Sequence, residues 1–482
     1  MKHLTRRSFL KSSLLTATTV SFSARSWSQV PGSSETIRVA VVGFGGRGGD
    51  HINGMRKLKE KQVRIVALCD VDQTVLSRGL GSLNKEGNVA DGFMDIRKLL
   101  ERKDIDAITT ATPNHWHALA TIWAVQAGKD VYVEKPVCHN VWEGRQMVLA
   151  ARKYRKIVQT GTQSRSSHGI REAVEWVQAG NLGKILVARG LCYKPRGSIG
   201  KTEGPQTVPE EINYDLWCGP APLDPLRRRR LHYDWHWLWA YGCGDLGNQG
   251  IHEMDRARWF LGASELSPRV FSVGGRLGYV DDAETPNTQI VFHDYAKAPL
   301  IFEVRGLPEK KNSKNMDTFM GGRVAAIVHC EGGHVVSPNY NSAIAYDKDG
   351  KEIKRWSGST DHYENFIQAC RSRKHADLNA DILEGYLSSS LCHTGNVSYR
   401  LGARQSPDEV REKLKGNSAA LETFGRMVEH LKSNEVDLDH DKLTFGDFLT
   451  MDPKGERFTN NREADALLTR HYRRPYVVPE NV

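Results

Sequence analysis

The chain has 482 residues, 67 Lys and Arg against 57 Asp and Glu for a formal charge of +10, and eight cysteines. That length exceeds what a single hydrophobic core organises, so at least two domains are expected. The cysteines show neither C-x-x-C pairs nor His-rich ligand spacing, which leaves no legible metal site or disulfide framework.

The first residues read as a targeting segment. Thr5-Arg6-Arg7-Ser8-Phe9-Leu10-Lys11 precedes a hydroxyl-diluted apolar run over 14–20 and small residues up to Ser28. This resembles a twin-arginine export signal spanning 1–28, cleaved between Ser23 and Gln29, and implies a periplasmic location. The run is too short to span a bilayer and no later stretch reaches membrane length, so a soluble mature protein without stable membrane insertion is expected. Lys2, Arg6, Arg7, Lys11 and Arg25 leave with the signal and no acid does, so +10 falls to +5. That is an ordinary surface, with no nucleic-acid footprint. The twin-arginine route carries proteins folded in the reducing cytoplasm, which suits free thiols.

Residues 35–161 alternate short apolar runs with helical periodicity, as a parallel βαβ array requires. Strands are expected at 37–42, 63–69, 107–110, 131–134 and 157–161, and helices at 115–127 and 141–154, with Gly128 stopping the first helix. Directly after the first strand stands Gly43-Phe44-Gly45-Gly46-Arg47-Gly48. A strand turning through glycines into a helix cradles a pyrophosphate: one glycine makes the turn, one admits the phosphates, one lets helix pack on strand. Asp70 ends the second strand about twenty residues later, where an acid takes a ribose hydroxyl pair. A carboxylate there repels a 2′-phosphate, so NAD is expected in preference to NADP, with Arg47 on the pyrophosphate.

Residues 162–401 change character. A helix at 170–179 and a strand at 184–189 lead into a long Pro-, Gly- and aromatic-rich stretch, then a helix from Asn248 to Leu261. Strands are expected at 270–273, 288–292, 300–304, 325–329 and 343–346, spaced for a mostly antiparallel sheet with helices on one face. Helices return at 363–371 and 382–393. Residues 402–482 read as a C-terminal extension, a helix plus an extended arm. The fold class is therefore α/β: a Rossmann doubly wound parallel sheet, then an α+β domain with an open, mostly antiparallel sheet.

Two motifs lie beyond the carboxyl ends of parallel strands, where ligands of open α/β sheets sit: Thr112-Pro113-Asn114-His115-Trp116-His117 and Glu134-Lys135-Pro136. Thr112, Asn114, His117, Glu134 and Lys135 are thus cofactor-side candidates. A partly buried Lys135 beside a cationic ring has a lowered pKa and becomes a usable acid, base or hydroxyl orienter. His115 and His117 lack a carboxylate or thiol at ligand spacing, so they are not read as a metal site. The Arg227 to Arg230 run reads as a solvated face or subunit contact before an anion site.

The order of Gly-rich turn, Thr-Pro-Asn-x-x-His and Glu-Lys-Pro resembles the glucose–fructose oxidoreductase / inositol dehydrogenase (Gfo/Idh/MocA) family over residues 37–401. The resemblance implies a Rossmann domain, an α/β domain whose open sheet mediates oligomer contacts, and a substrate faced by Lys135 and His252. Many members carry Asp four residues before this histidine; here that position is Asn248. An amide accepts no proton, so a carboxylate–histidine relay is not expected. Asn248 is left to bond a sugar hydroxyl, Asp245 to supply charge, and His252 to titrate near neutral pH.

The aromatic stretch from His232 to Tyr241 suits a pyranose, with Trp235 or His236 reaching it. Arg165, at the domain junction, is a further candidate for substrate or cofactor. The expected activity is hydride transfer between a sugar or glycoside hydroxyl carbon and NAD. Free NAD is not supplied outside the cytoplasm, so the cofactor is expected to be loaded before export and held tightly. The alternatives are a redox-neutral NAD-dependent glycosidase and a nucleotide-holding binding protein. A homo-oligomer, dimer or tetramer, would cover the open sheet face.

Overall fold

The computed structural model describes residues 36–482; the export-signal reading at 1–28 lies outside them. The chain begins with β1 (Ile37–Val42), α1 (Gly48–Lys57), β2 (Val63–Cys69), α2 (Gln73–Lys85), β3 (Asp91–Phe93) and α3 (Ile96–Leu100). It continues through β4 (Ala107–Thr110), α4 (Asn114–Gln126), β5 (Asp130–Val133), α5 (Val141–Lys153) and β6 (Val158–Thr160). These six strands form one parallel sheet in the order β3-β2-β1-β4-β5-β6. Its strands are apolar because both faces are covered. Val42, Ile108 and Val131 pack with Leu119 of α4 and Met147 of α5. Val39, Val41 and Ile65 pack on the other side with Met55 of α1 and Leu76 of α2. Strand order reverses beside β1, which opens the crevice at the carboxyl edge.

The second domain starts with α6 (His168–Gln178) and β7 (Ile185–Tyr193). A long crossing segment follows, carrying only the short helix α7 (Tyr214–Cys218) and a single 3-10 turn at Asp234–Trp237. The helix expected from Asn248 is in fact two. α8 (Gly244–Asn248) ends and α9 (Gly250–Leu261) begins at Gln249, with Gly250 lying so close to Phe302 that a Cβ would stand 2.8 Å from its ring.

Seven strands then follow: β8 (Arg269–Gly275), β9 (Thr288–His293), β10 (Leu300–Arg305), β11 (Val324–Cys330), β12 (Gly333–Ser337), β13 (Ser342–Asp347) and β14 (Glu352–Ser357). They build a mixed sheet in the order β14-β13-β12-β11-β7-β10-β9-β8, in which only the central β7–β10 pair is parallel. α9 and α11 (Ile382–Arg400) cover its inner face, where Met254 and Leu391 meet Phe302 and Val328. α10 (His362–Ser372) returns to the first domain, placing Phe366 and Cys370 against Val39 and Tyr132.

The extension is woven into this sheet. β15 (Ala403–Gln405), α12 (Pro407–Lys413), α13 (Ser418–Ser433), β16 (Leu443–Phe445), β17 (Leu449–Asp452), β18 (Arg457–Phe458) and α14 (Arg462–Ala466) precede an extended arm. β16 and β17 both pair with β8. α13 lays Phe424, Met427 and Leu431 over Phe271, Ile290 and Phe292 on the outer face. Part of the covering assigned from sequence to a second subunit is therefore supplied by the chain's own helix. All eight cysteines are free and buried. Among the described residues no helix is long and apolar enough to cross a membrane.

Candidate functional site

The glycine turn has the steric form its sequence calls for. Gly43 has φ +70°, and a Cβ there would stand 2.8 Å from Thr112 Cγ2. A Cβ on Gly48 would lie 2.1 Å from the Gly43 carbonyl oxygen, so only glycine lets α1 start this close to β1. Gly46 has no atom within 4 Å of its Cβ position and borders open space. α1 begins without a side-chain cap at Arg47; the Gly49 and Asp50 amides donate to the Gly46 and Arg47 carbonyls at 2.9 and 3.0 Å, so an anion is left the amides ahead of them. The Asp70 carboxylate accepts the Phe44 N–H at 2.9 Å and the Asp72 N–H at 3.1 Å, and burial raises its pKa. Phe44 contributes that amide alone: its ring is buried against Gly79 and does not reach the cleft.

A cleft of about 320 Å³ runs from this turn along the carboxyl ends of β1, β2, β4 and β5. Gly43, Gly45, Gly46, Arg47, Asp70, Thr112, Asn114, His117, Glu134 and Lys135 line it from the first domain. Trp235, His236 and Asn248 line it from the second. His232 and Tyr233, from the aromatic stretch assigned to the sugar, do so too, as do Leu216 and Trp217, which the sequence reading had not placed at the site.

Charge in the cleft is organised around Glu134. Burial raises its pKa, but His51 at 3.2 Å and Arg47 at 3.0 Å on Oε1 overcome this and hold it well below the usual range. Glu134 is therefore a fixed anion, and Arg47 is shared between it and Asp50. Lys135 Nζ donates to the main-chain carbonyl of Asn248 at 2.8 Å. Burial lowers the Lys135 pKa, against the pull of Glu134.

His117 ties the two loops, with Nδ1 2.6 Å from the Pro136 carbonyl and Nε2 2.7 Å from that of Thr112. Burial keeps it neutral, so one N–H serves one carbonyl at a time. His115 is off the cleft, between the carbonyls of Trp217 and Tyr241.

His252 does not line the cleft, although the Lys135 charge is felt at its ring. It is 5% exposed, its Nδ1 is buried without a partner, and its ring centroid is 4.7 Å from that of Tyr340. Burial and then Lys135 push its pKa well below the usual value. His252 is thus a neutral imidazole across the working range, rather than a group titrating near neutrality.

Two substrate candidates are placed elsewhere. Arg165 makes a bidentate pair with Asp255 at 2.9 and 2.8 Å and also meets Glu384 at 3.1 Å, all away from the cleft. Asp245 is held bidentately by Arg196 at 2.9 and 2.7 Å, so it does not serve His252. Trp235 and His236 both reach the cleft and stack with centroids 3.7 Å apart; burial takes His236 to about 3. Most of the Arg227 to Arg230 run is engaged internally: Arg228 lies 4.3 Å over Trp217, Arg229 donates to the Lys201 carbonyl and Arg230 pairs with Asp234.

Residues 37–162 match an oxidoreductase family's NAD-binding Rossmann fold, and residues 175–430 match the same family's C-terminal alpha/beta domain. The chain belongs to the Gfo/Idh/MocA oxidoreductase family. It is 25% identical over 182 residues to inositol 2-dehydrogenase of Salmonella paratyphi B, covering 38% of this chain and 53% of that protein. It is 32% identical over 127 residues to a glycosyl hydrolase family 109 protein of Shewanella putrefaciens, covering 25% of this chain and 27% of that one. The chain thus spans about half or less of these relatives' lengths.

Among solved structures it is similar to the WlbA dehydrogenase from Bordetella pertussis in complex with NADH and UDP-GlcNAcA. There the TM-score is 0.53 at 18% identity, over 74% of this chain and 94% of that one. Levoglucosan dehydrogenase in complex with NADH aligns with TM-score 0.55 at 16% identity, over 74% and 95%. Both likenesses speak to the fold. The family's dinucleotide fits this chain: the open approach at Gly46, the uncapped start of α1 and the Asp70 carboxylate lie on one cleft.

Proposed function

We propose that the protein is an NAD-dependent oxidoreductase acting on a hydroxyl-bearing carbon of a sugar or glycoside. The observation that carries this reading is Lys135, fixed by the Asn248 carbonyl in the same cleft as the glycine turn. Gly43 to Gly46 and the start of α1 would hold the pyrophosphate, and Asp70 the ribose hydroxyls, which favours NAD over NADP. NAD, when bound, accepts or returns the hydride. Lys135 receives the substrate oxygen. Because burial lowers its pKa, it gives and takes the hydroxyl proton more readily than a solvated lysine. His252 stands off the cleft as a neutral ring that feels the Lys135 charge, so the proton work falls to the lysine. The stacked Trp235–His236 pair presents an apolar face with a polar rim, which suits a polyhydroxylated ring. The inositol, levoglucosan and nucleotide-sugar names of the relatives point the same way.

A redox-neutral glycosidase is the second reading. The Shewanella relatives support it, as does the state of Glu134, which is tied to Arg47 and His51 and so not available for ordinary two-carboxylate hydrolysis. In that scheme a hydroxyl is oxidised to a ketone, the adjacent C–H is lost, the aglycone is eliminated, water adds and the ketone is reduced. Export through residues 1–28 belongs to the proposal, since a cofactor that cannot be replenished outside the cytoplasm must stay bound. The deciding experiment incubates purified protein with a chromogenic glycoside and no added nucleotide. An accumulating ketosugar with reduced nicotinamide supports the dehydrogenase. Aglycone release without net reduction supports the glycosidase, and no turnover of any sugar refutes both.

A further inference from the structure

After β7 the chain crosses the carboxyl edge of the Rossmann sheet and is pinned on both sides of that crossing. On the β2 side, the Asn213 N–H donates to the Val71 carbonyl at 3.0 Å, the Gln73 N–H donates to the Glu211 carbonyl at 2.9 Å, and His232 Nε2 lies 3.0 Å from Asp72 Oδ2. On the α4 side, Trp116 Nε1 donates to the carbonyls of Leu216 and Trp217 at 3.0 and 3.1 Å. Between these anchorages Leu216, Trp217 and Tyr233 share the cleft with Asp70 and Val71. A wall of the second domain therefore borders the part of the cleft that Asp70 assigns to the adenosine.

The last residues of the chain fasten this wall from outside. Arg473 pairs with Asp215 of α7 and donates to the Gly219 carbonyl at 3.1 Å. The Tyr476 hydroxyl donates to Asp215 Oδ2 at 2.7 Å. The Tyr476 ring is buried and meets Trp116 edge-on with centroids 5.6 Å apart. Gly219, at φ +48°, sits directly on that indole: a Cβ there would lie 2.3 Å from the ring. Arg470 donates to the Ala240 carbonyl at 3.0 Å, and the Tyr472 hydroxyl donates to Glu143 Oε1 at 3.0 Å, fixing the strap to both domains. No residue of the strap lines the cleft. Whatever it does to a ligand, it does through α7.

We infer that residues 470–482 are a retention strap: through Asp215, Arg473 and Tyr476 they hold α7 over the adenosine end of the cleft and make the dinucleotide a resident group. This rests on the NAD reading above. Asp215, Arg473 and Tyr476 are positioning residues. The nucleotide leaves only when this wall, bonded to Val71, Gln73, α4 and the strap, swings away, which suits an enzyme that keeps its cofactor and turns over its sugar.

The test charges the full-length protein with NAD and follows exchange against excess deuterated NAD by mass spectrometry of the nucleotide released on denaturation. Two folded variants, Asp215→Ala and the double variant Arg473→Ala with Tyr476→Phe, are expected to exchange at least ten-fold faster than the unaltered protein. Asp215→Glu, which keeps the carboxylate, is expected to recover slow exchange. Circular dichroism establishes that each variant is folded, and the double variant serves if Asp215→Ala does not fold. Equal exchange rates in folded variants and parent overturn the strap and leave the NAD reading standing. A parent protein that holds no NAD at all overturns the nucleotide reading, and the strap with it.

Discussion

Gly46 and Gly48 stand two residues apart, and the structure gives them opposite tasks. At Gly48 a methyl group would lie 2.1 Å from the Gly43 carbonyl oxygen and 2.8 Å from Phe44 Cβ. Relief needs a backbone shift between β1 and α1, an overpacking cost of about 1–3 kcal/mol or more. At Gly46 nothing lies within 4 Å, so Gly46→Ala costs the fold little and gains about 0.4–1 kcal/mol from a stiffer unfolded chain. Its methyl group, however, enters the space through which a pyrophosphate reaches the turn. Losing one charge-assisted backbone hydrogen bond is worth about 1.5–3 kcal/mol, roughly a 10- to 100-fold weaker NADH affinity. Thermal melts and NADH titration of both variants separate the two effects. Gly48→Ala lowers the melting temperature by several degrees; Gly46→Ala melts as the parent does but binds NADH at least ten-fold more weakly. A Gly46→Ala protein with parental affinity would falsify the phosphate cradle.

Lys135→Met is expected to lower kcat by roughly 10²–10⁴-fold while NADH affinity stays within a few-fold, and parental turnover would dismiss Lys135 as the proton-handling group. Arg165→Ala leaves Asp255 buried without its bidentate partner and should destabilise by about 3–5 kcal/mol in denaturant melts. Its KM should be unaltered, since Arg165 does not line the cleft; a KM change with parental stability would return it to the substrate site. Acid should unfold the protein early. Burial holds His115 and His293 at about 3 and His393 at about 4, below the ordinary 6.5. The unfolded chain therefore takes up protons first. The stability these neutral rings confer is full above pH 6.5 and falls by about 1.4 kcal/mol per ring per pH unit towards pH 4. Denaturant midpoints at pH 7.5 and 5.5 check this, and equal midpoints would contradict it.

The nucleotide half of the site was legible because its constraints are local. Gly43 and Gly48 answer to atoms within a few residues or on the next strand, and Asp70 is placed by the end of β2. The second-domain wall had no such signal. Leu216 and Trp217 reach the cleft only because the crossing segment is bonded to Val71 and Gln73 far upstream, and a Pro- and aromatic-rich stretch carries no period from which to infer that. Arg165 and Asp245 misled for a related reason. A charge near a site looks available until its partner is known, and Asp255 and Arg196 lie 90 and 49 residues away. β3 and β14 were missed because their side chains are largely exposed and polar, so no apolar alternation marks them. β16 was unreadable as a sheet strand until β8 stood beside it.

Residue 248 lines the cleft with Lys135 and, as an asparagine, brings no carboxylate to it. Lys135 donates to the main-chain carbonyl of residue 248, which any side chain there leaves in place, and the anion that pulls on it most, Glu134, is shared with Arg47 and His51. Burial then dominates and lowers the Lys135 pKa, while His252, next to that ammonium, stays neutral. Lysine is thereby left as the group that charges and discharges. Asn248→Asp tests this, because a carboxylate on the cleft wall beside Lys135 favours the ammonium and must raise its pKa. If neutral Lys135 takes the hydroxyl proton, the rising limb of kcat/KM against pH for sugar oxidation moves to more alkaline pH in the variant. A limb that stays in place, in a variant that still binds NADH as the parent does, would show that Lys135 is not the titrating group.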